Sequence, residues 1–244
     1  MKLTIVPDYD AMSKVAADRV SDTLARKPEC ALCLPTGNTP LGMFEELIRR
    51  INAGDLDASR AQFFLLDEYV GLDEDDPDSL TGWLMNAFLK PAGINPANIH
   101  ELPTNATDLT AAAAAYEAEL QRFGGYELAV LGLGGNGHIA YNEPGSTADS
   151  RTRVLTLTDE SIEQARGYFE GRTVPTQAIS AGIQTLTEAR NIVLLVSGAS
   201  KAEILRGALE DQPTANNPAS FLQLASDRVE VIVDEAAASH LSRA

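Results

Sequence analysis

The sequence is short of cations. Nineteen lysines and arginines stand against 35 aspartates and glutamates in 244 residues, a formal net charge of −16 at pH 7. Such a surface repels phosphodiester backbones and anionic lipid, which excludes nucleic acid and membrane surfaces as partners. A small anionic substrate is a different matter, because a pocket of dipoles and a few cations overrides the global field locally. Long apolar runs are missing too. None approaches the roughly 20 residues of a membrane span. The opening stretch, MKLTIVPDYD, turns acidic before any apolar signal region forms, so a cytoplasmic protein is expected.

Cysteine is scarce. Cys30 and Cys33 form a C-x-x-C in CALCLP, with no second pair to complete a tetrahedral zinc site. They lie in an apolar, strand-like run, where positions i and i+3 point to opposite faces. That geometry argues for two buried apolar side chains and against a redox pair. No metal site is expected. Histidine is also rare: His100, His138 and His240 are the three present.

What the chain does have is alternation. Short, continuously apolar runs at 3–6, 31–34, 63–66, 128–131, 154–157, 192–196 and 229–233 read as strands. Helical spacing fills the gaps. Asp10 is placed to cap a helix running to 26, with Met12, Ala16, Val20 and Leu24 on one face. Further helices are expected from 40, over 80–89, over 109–123 and over 202–209. The segment DEYVGLDEDDPDS reads as a loop. Strands apolar on both faces, alternating with helices, predict an open, mostly parallel α/β sheet of Rossmann-like type with helices on both faces. Residues 1–244 are read as a single domain.

Ligands in such sheets bind outside the carboxyl ends of the strands. Four of those ends carry complementary chemistry. After ALCL comes Pro35-Thr36-Gly37-Asn38-Thr39-Pro40, with Thr39 as a helix cap and Pro40 at the first helical position. A glycine turn feeding a helix start suits a phosphate. After IVLLV comes SGASKAE, where Ser200 and Glu203 fit a capping box. Lys201 there opposes the helix dipole, a conflict that a bound anion resolves. After FFLL comes Asp67, placed to act as a general base in the cleft or, more blandly, as a cap.

The fourth end is LGLGGNGHIAYNEPGS, residues 131–146. Gly132, Gly134 and Gly137 spell G-x-G-x-x-G, and Asp159 lies near the spacing of a ribose-binding acid. A dinucleotide site needs a crossover helix of about ten residues or more after the third glycine. Pro144-Gly145 interrupts it, so no cofactor is expected. Instead His138, a proton donor or acceptor near neutral pH, has Asn136 and Glu143 close enough to share its pocket. A carboxylate facing a histidine fixes its tautomer. No serine or cysteine nucleophile sits in an elbow here. The pattern predicts proton transfer rather than acyl transfer.

Taken together, LPTGNTPLGMFEEL, LLDEYVGL, LGLGGNGHIAYNEPGS, VPTQAISAGI and SGASKAEIL resemble the glucosamine-6-phosphate deaminase (isomerase) family, in order and over nearly the whole chain. The related sugar-phosphate lactonases have a histidine loop closer to P-D-G-H-T-A-S-L-F-P, without the N-E-P ending. The resemblance implies cofactor-free conversion of D-glucosamine 6-phosphate and water to D-fructose 6-phosphate and ammonia. Galactosamine 6-phosphate is the alternative substrate, and 6-phosphogluconolactone opening a more distant one. By the family pattern His138 assists ring opening, with Asn136 and Glu143 orienting it, and Asp67 moves the C2 proton. Thr36, Gly37, Asn38, Thr39 and Lys201 hold the phosphate.

Two departures stand out. Family members often have A-R-F-F, whose arginine clamps the phosphate; in QARGYFEG Gly167 takes that place, so either Arg166, one residue off, substitutes as the phosphate contact or the contact is lost. Larger, hexameric members respond to an acetylated amino-sugar phosphate through a lysine after R-T-R, where this chain has Leu155. No such allostery is expected, and a monomer or small homo-oligomer fits the short chain.

Overall fold

The computed structural model describes residues 1–169 and 171–242. Strands and helices follow one another as β1 (Lys2–Val6), α1 (Tyr9–Arg26), β2 (Ala31–Leu34), α2 (Leu41–Ala53), β3 (Gln62–Leu65), β4 (Asp67–Tyr69), α3 (Leu80–Leu84), β5 (Ile99–His100), α4 (Leu109–Arg122), β6 (Tyr126–Gly132), β7 (Arg153–Thr156), α5 (Asp159–Ala165), β8 (Gln177–Ser180), α6 (Ile183–Thr187), β9 (Asn191–Val196), α7 (Ala202–Glu210), β10 (Val229–Asp234) and α8 (Glu235–Ala238).

Among the described residues, seven strands pair in parallel in the order β1-β10-β9-β6-β2-β3-β5. This is the expected open α/β sheet. Its central strands β2, β6 and β9 are largely apolar because both faces are covered, whereas the edge strand β1 is mostly exposed. In β2, Leu32 and Leu34 pack with Met12, Val20 and Leu24 of α1 and Phe44 of α2. Ala31 and Cys33 pack on the other face, with Tyr116 and Leu120 of α4 and Leu205 of α7. Cys30 joins the first group and Cys33 the second, as their spacing predicts, and both thiols are free. Burial pushes the Cys30 thiol up to about 11, which disfavours the reactive thiolate.

The α1 stripe of Met12, Ala16, Val20 and Leu24 is buried as its period requires. Each large member contributes roughly 1.5–3 kcal/mol of burial. A charge at Val20 would forfeit that and strand an ion in the core. The caps differ from expectation. Asp8, not Asp10, caps α1 by accepting from Ala11 N at 2.8 Å. Pro40, not Thr39, is the cap residue of α2. Ser200 makes no capping box: Lys201 precedes α7 without a side-chain cap. Asp234 instead accepts from Ser197 Oγ and Gly198 N, tying this turn to the end of β10.

The largest correction concerns residues 67–69. They form β4, not a loop, and pair antiparallel with β8, which also pairs with β7. The chain leaves the main sheet after Leu65, and Leu66 O accepts from Ala181 N at 2.9 Å. Nothing local marks β4, because its partner β8 lies more than a hundred residues on, whereas β7 overlaps the strand expected at 154–157. The helix expected over 80–89 is α3 followed by a π-helical turn at Met85–Leu89.

From β2 the chain order runs outward through β3 to β5. From β6 it runs the other way through β9 to β10. The reversal between β2 and β6 is the topological switch point where such sheets hold ligands.

Candidate functional site

The four polar strand ends singled out in the sequence belong to four adjacent strands, β9, β6, β2 and β3. A cleft opens over three of them, the ends of β6, β2 and β3. Its inner part, about 180 Å³, is lined by Thr36, Gly37, Asn38, Thr39, Asp67 and His138, among others. Thr36, Gly37 and His138 also line an outer part of about 330 Å³, whose walls include Trp83, Ser161, Gln164, Tyr168 and Phe169. Arg172 clasps that mouth by pairing with Asp76 and Asp78.

Alternation along β4 sorts its side chains. Glu68 turns to α3, where its carboxylate accepts from Tyr69 N, Ser79 Oγ, Leu80 N and Thr81 N at 2.7–3.1 Å. It anchors the helix start and the acidic loop. Asp67 lines the cleft. Its Oδ1 is buried with no hydrogen-bond partner among the described residues. Burial, and then the Glu68 charge, push the Asp67 carboxyl up to about 7. A carboxyl so placed exchanges protons near neutrality, the property a general base needs.

The glycine loop after β6 presents His138. Gly137 has φ +88°, and Gly134 N donates to His138 O at 2.9 Å, closing a tight turn. A Cβ on Gly134 would overlap the His138 ring, so glycine there lets the imidazole lie flat on the backbone. Ala140, two residues on, has φ +50°, a strained value for a residue with a Cβ, at the wall of the cleft. Asn136 bridges the loop: its Oδ1 accepts from His138 N at 3.1 Å and its Nδ2 donates to Glu143 Oε2 at 2.8 Å.

Glu143 Oε2 lies 3.6 Å from His138 Nδ1, an ion-pair separation that a small ring movement would shorten to a hydrogen bond. Burial opposes charge on Glu143, but the facing His138, Ser161 and Asn136 outweigh it and hold the carboxyl down to about 2. It is a fixed anion behind the ring. The other histidines serve elsewhere. His100 stacks on Phe64 with centroids 4.1 Å apart, and His240 meets Glu203 at 3.1 Å.

The Thr36–Thr39 turn reaches the cleft with Gly37 at φ +90°. Lys201 stands apart from these linings. It is half-buried, and burial lowers its ammonium pKa against the opposing pull of Glu160. The Glu160 carboxylate also approaches Gly135. Arg166 is not brought in: it is exposed and pairs with Glu163 at 3.0 Å. Arg166 directly follows Ala165, and about 100° of helical rotation carries it off the face that brings Ser161 and Ala165 into the cleft.

Several supporting residues escaped the sequence reading. Asn142 donates to Ile139 O and Ala181 O and accepts from Arg153 Nη1 at 2.9 Å, fastening the histidine loop to β8 and β7. Asn217 packs where a Cβ on Gly137 would stand. The N-E-P motif drew attention to 142–144, but nothing local pointed to Arg153 or Asn217. Their roles come from contacts across 11 and 80 residues.

The model for glucosamine-6-phosphate isomerases and 6-phosphogluconolactonases matches residues 9–231. The chain belongs to that family. Over its full length it is 41% identical to a glucosamine-6-phosphate deaminase of Cutibacterium acnes, covering 94% of that protein. It is equally identical to one from Rhodopirellula baltica, of which it covers 97%. Among solved structures, a monomeric glucosamine-6-phosphate deaminase superposes with a TM-score of 0.93 at 37% identity, over 98% of this chain and all of that one. A 6-phosphogluconolactonase from Trypanosoma cruzi shares the fold at a TM-score of 0.77 and 19% identity, over 99% of this chain and 97% of that one.

Proposed function

We propose that this chain is a glucosamine-6-phosphate deaminase, converting D-glucosamine 6-phosphate and water to D-fructose 6-phosphate and ammonia. The single observation that carries it is Asp67, a buried carboxyl without a partner, facing the same small cavity as His138. Opening a lactone requires no carbon acid base; moving a proton between C2 and C1 does.

The phosphate sits in the Thr36–Thr39 turn, and Lys201, set back from the cleft lining, supplies the cation. His138 shuttles the proton that opens the pyranose ring. Asn136 and Glu143 hold it in register. Asp67 then removes the C2 proton from the open aldose, giving an enediol-type 2-amino enol. The same carboxyl returns the proton to C1. The resulting ketose imine adds water and releases ammonia, so the net reaction is hydrolysis of a carbon–nitrogen bond. No step calls for a cofactor.

On this proposal residues 1–244 act as one domain, as a monomer or small homo-oligomer, in amino-sugar catabolism in the cytoplasm. Among the described residues no helix is long and apolar enough to cross a membrane. The test is to incubate the protein with glucosamine 6-phosphate and measure ammonia and fructose 6-phosphate together. Equal amounts of both are expected. Faster release from galactosamine 6-phosphate would reassign the substrate. Lactone opening without any ammonia would sink the proposal.

A further inference from the structure

Tyr69 lies two residues beyond Asp67 on the same face of β4. Tyr141 follows His138 by three residues in the glycine loop. Both line the outer cleft with His138, and Tyr141 lines the inner cleft with Asp67 as well. The Tyr141 hydroxyl donates to the Tyr69 hydroxyl at 2.5 Å. Packing holds the pair in place: Tyr69 meets Phe169 edge-on at 5.3 Å, and Tyr141 meets His138 edge-on at 6.1 Å.

Two phenols carry two donor protons, and their mutual bond uses one. The second has no acceptor among the described residues, whichever way the shared proton runs. A buried O–H without an acceptor is unfavourable, and one at a cleft wall is satisfied when a ligand supplies the lone pair. Both phenols adjoin the residues that face the reacting carbons C1 and C2. The nearest sugar hydroxyl outside that pair is the one on C3.

We propose that the Tyr69–Tyr141 pair binds substrate by donating its spare proton to the C3 hydroxyl, and so sets specificity at that carbon. This rests on the assignment of Asp67 as the C2 base. A site built to bond a hydroxyl discriminates against the analogue that lacks it, because the donor is then stranded. The pair also joins the base-bearing strand to the histidine-bearing loop, so Tyr141 orders the donor on Tyr69.

The test compares kcat/KM of the wild type, Tyr69→Phe and Tyr141→Phe on glucosamine 6-phosphate, its 3-deoxy analogue and galactosamine 6-phosphate. Ammonia release by the wild type reports separately on the proposed activity. Were there none, calorimetric binding of the same three sugars would judge the phenols on their own. The wild type is expected to favour glucosamine 6-phosphate over the 3-deoxy analogue by about 30-fold or more, and Tyr69→Phe to shrink that preference to about 3-fold or less. The loss should fall on the C3-hydroxylated sugars alone. Tyr141→Phe should give an intermediate value. The ratio between the two C4 epimers should stay unchanged. Equal losses by Tyr69→Phe on glucosamine 6-phosphate and its 3-deoxy analogue would overturn the proposal, since the phenol would then act only through packing. A changed epimer ratio with intact 3-deoxy discrimination would overturn the C3 assignment.

Discussion

Asp67 and Glu68 are adjacent buried carboxylates with opposite surroundings. Glu68 accepts four hydrogen bonds, while Asp67 Oδ1 accepts none. Strand alternation turns one to a helix start and the other to the cleft. The anchored charge of Glu68 adds to burial in raising its neighbour. Removing the free carboxylate should therefore remove the chemistry. Asp67→Asn is expected to lower ammonia release by about 10²–10⁴-fold, the usual worth of a positioned base. Solvent exchange of the C2 proton should vanish with it. Exchange at the wild-type rate would show that another group is the base.

The same carboxyl makes a stability prediction. Its folded pKa of about 7 lies above the ordinary aspartate value of 3.8. Between those values the folded state binds more protons than the unfolded one, so stability falls as pH rises through this window and levels off above it. Asp67→Asn removes that penalty. Its stability advantage over wild type should be larger at pH 8 than at pH 5 by roughly 1–3 kcal/mol. Denaturant melts at the two pH values measure it. An advantage independent of pH would mean that Asp67 is not buried as a strained acid.

Gly134 and His138 depend on one another sterically. A methyl group on residue 134 meets the imidazole ring. Gly134→Ala should displace the ring and cost about 10²-fold in kcat, as expected for misplacing a catalytic group by an ångström. The thermal midpoint should move little, because the ring lies at the cleft and not in the core. A variant with full activity would show that the ring position is irrelevant to turnover.

His138→Gln separates ring opening from isomerisation. The variant keeps a side chain that can bond but cannot shuttle a proton. Rates on glucosamine 6-phosphate should fall further than rates on an already open analogue. Equal slowing on both would remove His138 from the ring-opening step.

For the phosphate, the structure separates the two cations that the sequence offered. Lys201 is half-buried and free of ion pairs shorter than 4 Å among the described residues, whereas Arg166 is exposed and paired with Glu163. Lys201→Ala should raise KM by about tenfold or more, the scale of one charge-assisted contact. Arg166→Ala should change it less than about threefold, as for a solvated surface pair. Substrate titration of both variants decides, and a larger KM effect at Arg166 would show that α5 rearranges to bring it in.

The sequence by itself determined the sheet and its site-bearing ends. Continuous apolar runs alternating with 3.6-residue stripes admit little but a sheet covered on both faces. Interruption of the glycine motif at Pro144-Gly145 argued for a histidine loop over a cofactor loop. Periodicity and local turn chemistry are written into neighbouring residues, which is why they could be read. Only the tertiary structure decided the rest. Asp67 became a strained acid because β4 pairs with β8, more than a hundred residues away, and buries it. Arg166 was turned outward by the helical phase of α5. Tyr69 met Tyr141 through the joining of two distant segments. Caps, too, shifted by a residue or two, since where a helix begins depends on its packing as well as on the residues able to cap it. Burial and pairing are sums over the whole chain, and no short stretch of sequence contains them.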